Sequence, residues 1–173
     1  MLQGHRTWLF ENKPIIISTG TVVGPFEGDG NLGDDFDLIH EDLWLQQDTY
    51  EKAHRIFIEE ANQKAMEKAG LQKEQIQFYF GGDLINQITP TSFASRTLGA
   101  PYFGLFGACS TSMEGLALAA YIINTKGAKY ILTSASSHHS AVEKQFRYPT
   151  DYGAQKPPTS QWTVTGAGAA LVS

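Results

Sequence analysis

Short β-branched or aromatic runs alternate in this chain with stretches of helical period, and that alternation restricts the fold more than any other feature. Residues 14–20, 76–80, 102–106, 130–133 and 163–172 read as strands, the last of them glycine-rich. Between them, residues 48–69 repeat Ala53, Ile56, Phe57, Ile58, Ala61, Ala65 and Ala69 near a 3.6 period. Asp48 or Thr49 would cap that helix, and Gly70 stops it. A short helix is predicted over 92–98. A longer one follows over 112–124, with Met113, Leu116, Ala117, Ala120 and Ile123 lining one face, and a helical stretch covers 141–145. Residues 24–37, rich in Gly and Asp, read as a loop, as does the Pro/Gly-rich excursion ending at Gln161.

The order βαβαβα followed by ββ argues for an α/β layered domain around a mainly parallel sheet. Such sheets take ligands beyond the carboxyl ends of their strands. Asp83, Cys109 and the His138/His139 pair follow strands two, three and four, so they are expected to converge on one crevice.

With 173 residues, 42% of them apolar and 18% charged, the chain is one globular domain with a real core. A net charge of −5 and the lack of a Lys/Arg cluster argue against a nucleic-acid surface. One cysteine excludes an internal disulfide and fits a reducing compartment. The start has no signal-peptide core, and no window nears the ~18 apolar residues of a membrane span. A soluble, intracellular protein is therefore expected.

The single cysteine stands in Leu105-Phe106-Gly107-Ala108-Cys109-Ser110-Thr111-Ser112, between a strand-like run and the first turn of a helix. Unpaired N–H groups and the positive helix end favour a thiolate there. The bland alternative is a small buried apolar residue.

A strand leading into Gly-Ala-Cys-Ser-Thr-Ser and a small-residue helix resembles the nucleophile turn of the thiolase and ketoacyl-synthase superfamily. The terminal Thr165-Gly166-Ala167-Gly168-Ala169-Ala170 resembles its glycine-rich strand, and the likeness covers the whole chain. Four blocks, at residues 82–87, 106–114, 136–138 and 145–150, resemble more narrowly the stage V sporulation protein AD family of spore-forming bacteria.

That resemblance implies a thiolase-like three-layer α/β/α half-domain, residues 1–173, on a five-stranded mixed sheet, the family's second half being absent. It also implies a non-catalytic protein without cofactor or metal, binding dipicolinic acid for uptake into the spore. Asp83, Cys109, His138 and Arg147 are the implied ligand residues. Other stage V sporulation A membrane proteins are the implied partners, at the spore inner membrane. A homodimer through residues 102–106, an edge strand in the superfamily, is implied too. The rival function is an acyl-transferring condensing enzyme using Cys109, but the residues that would activate it lie in the missing half.

Duller readings stand beside these. Asp83 suits an Asx turn as well as a ligand contact, and Arg147 suits stacking or an ion pair with Glu143. The adjacent histidines point apart, so at most one should face a pocket. The scattered Cys and His lack zinc-ligand spacing.

Overall fold

The computed structural model describes residues 2–146 and 161–173. A small antiparallel hairpin, β1 (Leu2–Gln3) and β2 (Thr7–Trp8), precedes the main sheet. The sheet contains β3 (Ile16–Val23), β4 (Leu38–Ile39), β5 (Phe78–Asp83), β6 (Tyr102–Gly104), β7 (Ile131–Ser137) and β8 (Gly166–Val172). Their order is β4-β3-β8-β7-β5-β6. Only β8 runs against its neighbours, pairing antiparallel with both β3 and β7, while β3–β4, β5–β7 and β5–β6 are parallel. The sheet is thus mixed and has six strands rather than five. The addition is the two-residue β4, which has no alternating pattern long enough to stand out in the sequence.

The helices are α1 (Pro25–Gly28), α2 (Tyr50–Ala69), α3 (Thr89–Leu98), α4 (Thr111–Asn124) and α5 (His139–Phe146). Helices α2 and α3 cover one face of the sheet and α4 the other. Thr49 caps α2 by accepting the Lys52 N–H at 3.2 Å, and Gly70 ends it at φ +67°. The alanines of α2 serve close approach. A Cβ at Gly20 of β3 would stand 2.1 Å from the Ala61 carbonyl oxygen, so helix and strand touch backbone to backbone. Phe57, Ile58, Tyr79, Leu132 and Leu171 fill the larger core on this side. Each such side chain contributes about 1.5–3 kcal/mol through burial.

On the opposite face Phe80, Ala119, Ile131 and Val172 form a smaller core. The face of α4 differs from the expected one. Gly115 and Ala119 are buried with Leu116 and Ile123 beside them, whereas Met113 is 61% exposed and Ala117 lies outside. In a helix made almost wholly of small and apolar residues, periodicity does not single out one stripe. Two strands also run further than their apolar runs. Gly81-Gly82-Asp83 belong to β5, where pairing with β7 carries the strand past the end of β6, and residues 134–137 belong to β7, where pairing with β8 runs through Ser137. The stretch 24–37 holds α1 and a 3-10 turn at Gly33–Asp35.

Candidate functional site

Strand β6 ends early because the chain must turn sharply. Leu105 N–H donates to the Gly81 carbonyl at 2.9 Å, and a Cβ at Gly82 would lie 1.9 Å from the Leu105 carbonyl oxygen. Gly107 N–H then donates to Thr111 Oγ1, and Ser110 Oγ donates to the Gly107 carbonyl and to Glu114. Ala108 is held at φ +49°, a left-handed conformation that a residue with a Cβ adopts only under constraint. Cys109 follows it in a 3-10 turn that runs into α4, and is exposed. The strand-to-helix turn expected from the sequence is therefore present.

Cys109 opens onto a cavity of about 340 Å³ over the carboxyl end of the sheet. Its walls come from Thr21 and Val23 of β3, Ala135 and Ser137 of β7, and Gly166 and Gly168 of β8. Phe36 and Leu84 close it from the loops. A Cβ at Gly168 would meet nothing within 4 Å, so open space lies beside this glycine, whereas a Cβ at Gly166 would stand 2.7 Å from the Val22 carbonyl oxygen. Among the described residues, those lining the cavity include no acidic, basic or histidine side chain. Its chemistry is that of an apolar slot with a thiol and the start of a helix at one end.

The other expected site residues sit at the same sheet end but turn elsewhere. Asp83, 2% exposed, accepts from the N–H of Ile85 (2.8 Å), the N–H of Thr91 (2.9 Å) and Thr91 Oγ1 (2.5 Å). Burial pushes its pKa up, and these hydrogen bonds oppose the rise only in part. Its bonds tie down the 84–91 loop, where Gln87 and Ile88 have positive φ, so Asp83 reaches the cavity only through Leu84.

His138 is fully buried on the α2 side, with Nε2 2.8 Å from the Leu43 carbonyl oxygen. The His139 ring packs 4.6 Å from Trp162, and its Nδ1 lies 3.9 Å from Glu143. Neither histidine lines the cavity. Arg147 lies outside the described residues.

The sequence matches the family Stage V sporulation protein AD (SpoVAD) over residues 4–173. The chain belongs to that family. It is 43% identical over 172 residues to stage V sporulation protein AD of Bacillus subtilis (strain 168), covering 99% of this chain and 51% of that protein. The chain thus spans about half the length of its curated relative.

Solved structures with the same fold include 3-oxoacyl-[acyl-carrier-protein] synthase III from Aquifex aeolicus, at 19% identity and TM-score 0.60. That match covers 92% of this chain and 53% of the synthase chain. A variant of OleA from Xanthomonas campestris matches at 17% identity and TM-score 0.65, covering 96% and 59%. At these identities the likeness establishes the thiolase-like fold of a ketosynthase half.

Within this member of the SpoVAD family, a second polar group escaped the sequence reading. His54 of α2 is fully buried, and its Nε2 lies 2.9 Å from Ser136 Oγ. Burial, with a smaller contribution from His138, lowers its pKa to about 3. Two residues before Ser136 on β7, Ser134 Oγ lies 2.6 Å from Tyr79 OH. The available signal was helical spacing, since His54 falls one turn from Phe57 and Ile58 on the apolar face of α2.

Proposed function

We propose that this chain binds dipicolinic acid in the cavity beside Cys109 and serves its uptake into the developing spore without transforming it. One observation carries the reading in a member of this family: a mainly apolar cavity of about 340 Å³ is bordered by Ala108 and Cys109 at the turn that begins α4. Its volume and apolar lining suit a small aromatic ring. A helix start supplies N–H donors and positive potential for a carboxylate. In this reading Cys109 contacts the ligand, Asp83 and His138 shape the cavity walls from behind, and Arg147 supplies a cation.

The reading extends to a homodimer through β6, which lies at the sheet edge with Phe103 half-exposed. It also includes stage V sporulation A membrane proteins as partners at the spore inner membrane. No helix among the described residues is long and apolar enough to cross a membrane. Titration calorimetry with dipicolinate on wild type and Cys109→Trp tests the binding. Saturable heat lost in the variant is expected, and equal affinity in both would remove the cavity from the function.

The exposure of Cys109 at a helix start favours one second reading, acyl transfer through that thiol. Incubation with an acyl-coenzyme A and mass spectrometry separates the two. A stable acyl adduct on Cys109 supports transfer, and an unmodified chain supports binding alone.

A further inference from the structure

Residues 40–49 cross from β4 to α2 as a strap over the end of β7. Asp42 Oδ1 accepts from the N–H groups of Trp44 (2.6 Å) and Leu45 (2.8 Å), and Trp44 stacks on Tyr50 at 3.9 Å. Leu45 and Gln46 are both held at positive φ, +47° and +57°, which residues with a Cβ sustain only when their surroundings enforce it.

The buried ring of His138 anchors the strap just before these residues, at Leu43. Its Nε2 lies 2.8 Å from the Leu43 carbonyl oxygen, so that nitrogen carries the hydrogen and donates it. Its Nδ1 lies 3.4 Å from the Ala141 nitrogen, whose N–H it accepts. That contact makes the imidazole the N-terminal cap of α5. A carbonyl only accepts and an N–H only donates, so a single neutral tautomer satisfies both partners.

We propose that His138 is a proton-sensitive latch that joins the 40–49 strap to the start of α5. Protonation of Nδ1 removes the cap on Ala141 and leaves a fully buried imidazolium with an acceptor for only one of its two N–H groups. Although Nε2–H by itself could still reach Leu43, the charged ring is hydrated only if the strap opens. A hydrogen on Nδ1 would point at the Ala141 N–H and at the positive end of α5. Tyr50, Phe57 and His54 of α2 enclose the ring at 5.2, 6.1 and 6.2 Å, leaving it no room to turn toward water. The charged or titratable groups acting on it are Glu51, which pairs with Lys144 of α5 at 2.7 Å, its neighbour His139, and His54. Burial holds its pKa below the ordinary histidine range, and the Leu43 contact opposes that shift only in part. The neutral, latched form is accordingly the resting state near neutral pH.

The latch is continuous with one wall of the cavity. Ser137, the residue before it, lines that wall, and the His139 N–H donates to Thr165 Oγ1 between the lining residues Val164 and Gly166. This coupling holds whichever ligand the cavity takes.

Hydrogen exchange read by mass spectrometry and corrected for intrinsic rates tests the latch, with peptides covering 40–49, 139–146 and, as a core control, 131–137. On lowering the pH from 7.5 to 4.5, protection of the first two in wild type should fall together at least tenfold while the core peptide keeps its own. His138→Gln reaches Leu43 but does not titrate, so it should flatten the dependence. His138→Ala should leave the strap unprotected throughout.

Core protection falling in step, or full strap protection in His138→Ala, would overturn the proposal. So would a pH dependence that survives in His138→Gln and vanishes in His54→Gln, which would make His54 the sensor. Should the variants fail to fold, the ring ¹⁵N shifts of wild-type His138 decide. The Nε2–H tautomer at pH 7.5 supports the latch, and the Nδ1–H tautomer refutes it.

Discussion

Replacing His54 with glutamine is expected to flatten the acid arm of the stability curve by about 2 kcal/mol at pH 5. His54 is fully buried and its folded pKa is about 3, whereas an unfolded histidine titrates near 6.5. A depressed folded pKa means that the unfolded chain takes up the proton first. Stability contributed by neutral His54 is therefore complete above about pH 6.5 and is lost as the pH falls toward about 3. At pH 5 the unfolded state gains RT ln(1 + 10^1.5), about 2 kcal/mol, which is a large share of the ~5–15 kcal/mol that holds a domain folded.

Urea melts of wild type and His54→Gln at pH 7.5 and 5.0 give the comparison. His138, whose pKa is also lowered, and the carboxylates of Asp37, Glu51 and Glu67 weaken both proteins in acid, while the raised pKa of Asp83 acts in the other direction. Those contributions are common to both proteins and cancel in the difference. Equal losses between the two pH values in both proteins would show that His54 is hydrated or protonated in the native state, and the burial argument would fail.

Gly82→Ala should destabilise by about 3 kcal/mol, the upper end for overpacking, because its new Cβ would meet the Leu105 carbonyl at 1.9 Å. A loss under about 0.5 kcal/mol in chemical denaturation would mean that the β5–β6 corner yields freely. If the chain dimerises through β6 as proposed, light scattering shows a dimer for wild type, and Phe103→Lys, which places a charge on that exposed edge strand, shifts it to monomer. Unchanged dimer mass would exclude that edge as the interface.

The path of the chain was legible in the sequence wherever a residue's neighbours along the chain decide its conformation. Thr49 and Gly70 cap α2 by local hydrogen bonding and left-handed geometry, and the alternation of strand and helix implied the layered α/β fold. Gly107-Ala108-Cys109 marked the strand-to-helix turn for the same reason, since a tight turn is a property of adjacent residues.

Side-chain direction at the sheet end was not legible. His138 follows β7 where a ligand residue belongs, yet the carbonyl that claims it is Leu43, 95 residues earlier. Asp83 is claimed by Thr91, and His54 meets Ser136 across 82 residues of chain. The partners of His138 and His54, unlike the nearby Thr91 of Asp83, are distant along the chain and are brought together only by packing α2 and the loops against the finished sheet. For that reason the sequence alone determined which residues reach the carboxyl end of the sheet, and the tertiary structure decided which of them face the cavity and which hold its walls from behind.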